Sequence, residues 1–164
     1  MSETYVECLV ARSSSVWMRF LKTLFIMLTV VFVVIGVVFI PGLLVAIATG
    51  IVAYFSYMNA DIEYEYLYLD KEISVDKVMA KSRRKKMGSY NLEQMEIFAP
   101  LNSHRLDSYK NRQMKTLDYS SGVAAQPEKR YMMIWNGGTK IILEPNAEMI
   151  KAIQNVSPRK VFTD

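Results

Sequence analysis

The sequence predicts an α+β membrane protein, a transmembrane helical hairpin followed by an antiparallel β domain that ends in a helix. Three observations carry this reading. Thr23 to Ala60 is a run of 38 residues without a charged side chain or a histidine. Ile40-Pro41-Gly42 interrupts that run near its middle. Beyond Asp61 the pattern changes to short period-two runs separated by turn residues, and only the last stretch returns to helical spacing.

The apolar run is too long for one span. At about 1.5 Å per residue it would extend about 57 Å, against a hydrocarbon core of about 30 Å. Two helices fit, one from about Val16 to Phe39 and one from about Leu43 to Asn59, with the turn near 40–42, where Pro followed by Gly stops a helix. A buried hairpin inside a soluble protein is excluded by size, because the 164 residues cannot enclose so much apolar surface. A cleaved leader is excluded by the length of the run and by Glu3 and Glu7 ahead of it.

The flanks set the expected orientation. Arg12, Arg19 and Lys22 precede the first helix, while Lys71, Lys77 and the run Lys81 to Lys86 follow the second. The positive-inside rule therefore puts both termini in the cytoplasm, in a multi-pass protein of the cell membrane. Trp17, Phe20, Tyr54 and Tyr57 fall at the cytoplasmic interface, where Arg19 and Lys22 snorkel. Gly42, Ala46 and Gly50 form a small-residue stripe at spacing four, which lets two helix backbones approach. Its partner is either the first helix of the same chain or a second copy.

Residues 61–164 supply 104 residues with 17 basic and 14 acidic side chains, enough for one small core. Ile62 to Leu69 alternates, with Ile62, Tyr64, Tyr66 and Tyr68 on one face and Glu63, Glu65, Leu67 and Leu69 on the other, a strand whose acids face solvent. Asp70-Lys71 turns the chain into a second strand around Ile73, Val75 and Val78. A third strand is expected at Lys85 to Tyr90, a helical turn at Asn91 to Gln94 and a fourth strand at Met95 to Phe98, before Pro100. Asn102 to Gln113 is polar and reads as loop. Lys115 to Ser120 is a short strand, and Arg130 to Trp135 and Lys140 to Leu143 form a hairpin about Asn136-Gly137-Gly138. The closing helix spans 146–155, with Asn146 as N-cap and Met149, Ile150 and Ile153 as its apolar stripe. Seven short strands and a terminal helix in this order are those of a PH-like antiparallel β-barrel or sandwich, plugged at one end by the helix. The segment 1–15 is expected to lie in the cytoplasm, and Tyr5 to Val10, rich in strand formers, to add a strand to that sheet.

Several short stretches also resemble a known family. These are Glu3-Thr4-Tyr5-Val6-Glu7-Cys8-Leu9-Val10 before the hairpin, Tyr64-Glu65-Tyr66 after it, Val75-Asp76-Lys77-Val78, Phe98-Ala99-Pro100 and Pro158-Arg159-Lys160-Val161-Phe162. Together they resemble an uncharacterised family of small membrane proteins from anaerobic Gram-positive bacteria, with a two-helix anchor and a PH-like cytoplasmic domain. The resemblance implies that architecture and brings no catalytic residues.

Candidate chemistry is sparse. Lys81, Arg83, Arg84, Lys85 and Lys86 put five positive charges in six positions, expected at or near the loop between the second and third strands. Such a run attracts anionic lipid headgroups at about 1 kcal/mol per basic residue near the surface. It also serves simply as a solvated turn that fixes topology. Nucleic acid is not an expected partner, because exposed interleaved aromatics are missing. One cysteine, Cys8, and one histidine, His104, exclude an internal disulfide and a zinc site. Cys8 reads as a small buried apolar residue. Asn102 to Ser108 brings His, Ser and Asp together without the turn that presents a nucleophile. No phosphate loop or dinucleotide fingerprint occurs, so no cofactor and no small-molecule substrate is expected. The expected function is a non-enzymatic membrane-anchored interaction or scaffold module, in contact with the bilayer and with a second copy or another membrane protein. A lipid-headgroup sensor is the alternative, and an enzyme with its site in the 102–108 loop comes last.

Overall fold

Long apolar helices form where side chains are straight or branched hydrocarbon and no backbone-breaking residue intervenes. α1 (Val16–Val38) and α2 (Pro41–Ala60) obey this, and only two residues, Phe39 and Ile40, separate them. Proline stands at the first position of α2, where its missing N–H is no loss. The sequence reading placed Pro41-Gly42 in the turn; the structure puts both inside α2, so the turn is one residue earlier. The computed structural model describes residues 5–163, and they fall into two compact units. One is Ser13–Ile62 with Val78–Arg83; the other is made of residues 5–12, Glu63–Lys77 and residues 84–163.

The hairpin is antiparallel. A Cβ built on Gly42 would lie 3.0 Å from the backbone of Gly36, and one on Gly36 would lie 2.8 Å from the Leu43 nitrogen. A Cβ on Gly50 would sit in ordinary contact with the Thr29 methyl at 3.6 Å. At the open end Lys22 Nζ lies 4.5 Å above the Tyr57 ring and 3.3 Å from Asp61 Oδ2. The buried residues of the two helices are Gly36, Gly42, Ala46, Ala53 and Ala60, all small.

The β residues form two four-stranded sheets. The first holds β1 (Val6–Ala11), β2 (Ile62–Leu69), β3 (Glu72–Met79) and β4 (Arg83–Asn91) in that order. β1 runs antiparallel to β2 from Val6 opposite Tyr68 to Ala11 opposite Glu63. Val6, Cys8 and Val10 are buried, alternating with exposed Glu7, Leu9 and Ala11. The second sheet holds β5 (Met95–Pro100), β6 (Lys115–Asp118), β7 (Tyr131–Trp135) and β8 (Thr139–Leu143), in the order β5-β7-β8-β6. β6 pairs with β8 in parallel, which an antiparallel meander does not allow for. Three hairpin turns, at Asp70-Lys71, Ala80-Lys81 and Asn136-Gly137, have positive φ at both central residues, the twist that matches β-strands.

The expected barrel does not close; among the described residues there are two separate sheets. The second sheet is covered on both faces, which a barrel wall is not. Ile97, Ala99, Met132 and Ile134 bury one face under Leu106, with Leu101, Tyr109, Met114 and Phe162 packed around them. The segment expected as loop or irregular structure, 102–113, contributes to the cover and includes the short helix α3 (Asp107–Lys110). Phe98, Met133, Ile141 and Leu143 are buried too. α4 (Ala147–Val156) starts at Asn146, whose side chain accepts the Met149 N–H at 2.8 Å, and buries Met149, Ala152 and Ile153. The chain after α4 returns to β5, where Phe98 N–H donates to Lys160 O at 2.8 Å and Phe162 N–H donates to Phe98 O at 2.9 Å.

Tyrosines tie the two sheets together. Tyr66 of β2 is fully buried, and its hydroxyl donates to the Tyr119 carbonyl. The hydroxyls of Tyr90 and Tyr119 are 2.9 Å apart, and Tyr90 meets Trp135 edge-on at 5.5 Å. Burial drives the Tyr66 and Tyr119 phenols above the ordinary range, so both stay neutral.

Candidate functional site

The basic run is the feature with the most chemistry; it was expected at or near the loop between the second and third strands, with strand from Lys85, and the strand begins two residues earlier, at Arg83. Lys81 sits in the β3–β4 turn, while Arg83, Arg84, Lys85 and Lys86 are the first four residues of β4. All five are exposed. A charged sequence is stable as a strand here because β4 is the outer strand of its sheet, where both faces of the chain meet solvent. Charges on such an edge also block unwanted strand pairing. Arg83 to Lys86 include no apolar residue, so no apolar period marked the start of the strand.

Arg84 differs from its neighbours. Its Nη2 donates to Glu65 Oε1 at 3.2 Å, and the Glu65 side chain is only 3% exposed against 65% for Arg84. The solvated acidic face read from the sequence therefore fails at Glu65. The expectation missed it because β1 supplies a strand beside β2, with Leu9 directly opposite Glu65. Burial, and then the Glu7 side chain, push the Glu65 carboxyl above the usual range, while Arg84 opposes them.

Of the small-residue stripe, Gly42 and Ala46 are buried and Gly50 is half-buried against Thr29. All three face α1. The stripe runs on through Ala53 and Ala60, and Gly36 of α1 meets it. A heptad count along α2 finds Ala46, Ala53 and Ala60, a signal legible in sequence.

In the 102–108 segment the polar letters serve a turn. Ser103 Oγ accepts the Arg105 N–H at 3.3 Å. His104 is fully exposed, with Nδ1 3.4 Å from Asp107 Oδ2. Lys110 first, and then His104, hold the Asp107 carboxyl below its ordinary value. A separate groove of about 490 Å³ runs beside Cys8 to Ala11, bounded by Ser121, Glu128, Lys129 and Asn146. Cys8 is buried there, its thiol pushed up by burial.

Two sheets tied by buried tyrosines and followed by a C-terminal helix, in a chain with two helices long and apolar enough to span a membrane, define a protein of the PH-like class. The chain belongs to the family described as bacterial PH-like domain (DUF6106), whose model matches residues 2–163. No curated protein and no solved structure matches it.

Proposed function

We propose that this protein is a non-enzymatic interaction module held at the membrane by its helical hairpin, with both termini in the cytoplasm. One observation carries the reading. The hairpin buries only glycine and alanine, while Val30, Val31, Val34, Leu44, Ile47 and Phe55 point outward. A core helix of a soluble protein does the reverse. An outward apolar surface of this kind is stable against hydrocarbon, and the flanking Arg19 and Lys22 suit the headgroup layer. The polar letters of the 102–108 segment are engaged in a solvent-facing turn, which supports a binding role over a catalytic one. The partner is a second copy or another membrane protein, and co-purification from native membranes distinguishes them. An alkaline carbonate wash tests the anchor: the chain stays in the membrane pellet, and release into the supernatant refutes the proposal.

A second reading is favoured by the exposed basic strand. Lys81, Arg83, Lys85 and Lys86 are exposed to meet anionic headgroups, at about 1 kcal/mol each near the surface, while Arg84 is engaged by Glu65. With Arg83, Arg84, Lys85 and Lys86 replaced by Gln, binding of the detergent-purified chain to phosphatidylglycerol vesicles falls while binding to phosphatidylcholine vesicles does not. Equal binding of both proteins to phosphatidylglycerol refutes the lipid reading.

A further inference from the structure

The outer face of the first sheet holds a cluster of acids with too few donors. Glu65 lies on β2 with its side chain 3% exposed. Arg84 of β4 satisfies Oε1 at 3.2 Å, but Oε2 is buried with no hydrogen-bond partner among the described residues. The β1–β2 register sets Leu9 opposite Glu65 and Glu7 opposite Leu67, so Glu7 is the diagonal neighbour of Glu65 on the same face. Its carboxyl is within hydrogen-bond reach of Glu65. Glu7 Oε2 in turn accepts the Tyr5 hydroxyl at 3.1 Å. Asp76 of β3 is the remaining acid that bears on the site. The groups facing Glu65 are therefore Tyr5 and Glu7 from the N-terminal strand side, Asp76 from β3 and Arg84 from β4: with Glu65 itself, three carboxyls against one guanidinium.

Two carboxylates in contact cannot both ionise cheaply, and the repulsion grows when one is out of water. A single proton between them removes the repulsion and supplies the donor that Oε2 lacks. Glu7 is exposed, so the proton comes from and returns to solvent through it.

We propose that Glu7 and Glu65 share one proton, and that this proton is a pH-sensitive clasp between the N-terminal strand β1 and the rest of the sheet. With the proton in place, Glu7 on β1 is hydrogen-bonded to Glu65 on β2. When it leaves to solvent, two adjacent carboxylates remain, Arg84 neutralises only one, and β1 loosens from β2. The inference is independent of the membrane reading, because every group it uses lies in β1 to β4 or just before β1.

The test uses the full chain in detergent micelles. Carboxyl carbon shifts of Glu7 and Glu65 are followed by NMR against pH, together with hydrogen exchange of the β1 amides referenced to those of β7. The Glu65 carboxyl responds at a step above the ordinary glutamate range, and the Glu7 carboxyl signal changes through that same step. Through that step the protection of β1 relative to β7 falls about tenfold for each pKa unit by which the clasp retains the proton. Glu65→Gln removes the step and makes relative β1 protection independent of pH. Glu7→Gln, at an exposed position that folding tolerates, does the same and serves if Glu65→Gln fails to fold. Independent titration of both carboxyls near about 4.3, or a pH-dependent β1 protection unchanged in Glu7→Gln, overturns the proposal.

Discussion

Gly88→Ala isolates the packing that holds the two sheets together. Gly88 lies in β4 two residues before Tyr90, whose ring folds back over it. A Cβ at position 88 would stand 2.6 Å from the Tyr90 hydroxyl oxygen and 2.8 Å from Cζ. Nothing near it yields easily. Tyr90 is buried, meets Trp135 edge-on at 5.5 Å and shares a hydrogen bond with the Tyr119 hydroxyl at 2.9 Å. The added methyl therefore moves a confined ring and breaks a buried bond. Overpacking of this kind costs about 1–3 kcal/mol, and the lost bond about 1 kcal/mol more. Against this, alanine in a strand gains about 0.5–1 kcal/mol over glycine. The net loss is about 1–3 kcal/mol, a fall in Tm of about 4–8 °C per kcal/mol for a domain of this size. Thermal unfolding of the detergent-solubilised chain, followed by near-UV circular dichroism of the buried tyrosines, reads it directly. Tyr90→Phe removes the clashing oxygen, so it costs less in the Gly88→Ala background than in the native chain. A Gly88→Ala protein as stable as the native one refutes the packing argument.

Three further outcomes follow from the same geometry. Gly36→Val drives side-chain atoms into the Leu43 backbone, so the helices separate at a cost of about 1–3 kcal/mol; in a Cys8→Ser background, the disulfide yield between Thr29→Cys and Gly50→Cys falls. Lys140 is buried and its Nζ donates to the carbonyls of Lys110 and Arg112, each at 3.1 Å, so Lys140→Met costs about 1–3 kcal/mol and raises hydrogen exchange in 107–112. Because the fold raises the Glu65 carboxyl above its unfolded value, Glu65 contributes stability in full below that unfolded value, and the contribution is lost as pH rises through the folded one. Glu65→Gln therefore flattens the decline in Tm on the alkaline side of that transition, and an unchanged slope contradicts the assignment.

Legibility in the sequence followed the strength of local physics. The charge-free run, the alternation of Tyr64, Tyr66 and Tyr68, the Asn136-Gly137 turn and the Asn146 cap are local signals, and each marks an element near its observed place. The misses have long-range causes. Ala80-Lys81 forms a turn of the same backbone type as Asn136-Gly137, but neither residue favours positive φ, so only strand pairing on both sides imposes it. β4 begins at Arg83, two residues before the expected Lys85, because an outer strand needs no apolar face there. The second sheet is buried on both sides, so Met132 and Ile134 break the alternation that Tyr131, Met133 and Trp135 display. Leu106 and Tyr109 look like loop residues until the sheet beneath them is in place. The Glu65 cluster needed β1, whose pairing lies more than fifty residues from its partner in sequence. Gly36 carried no motif of its own; its role appears only against Gly42 across the hairpin.

The central claim is that the hairpin crosses the membrane and returns. Reporter fusions test it most directly. Alkaline phosphatase, active only outside, is inserted at the Phe39–Ile40 turn, and green fluorescent protein, fluorescent only inside, is fused at the C-terminus. The account predicts an active phosphatase and a fluorescent C-terminal fusion, which puts the turn outside and the PH-like domain in the cytoplasm. An inactive phosphatase at the turn alongside a fluorescent C-terminal fusion would place both on one side and contradict it.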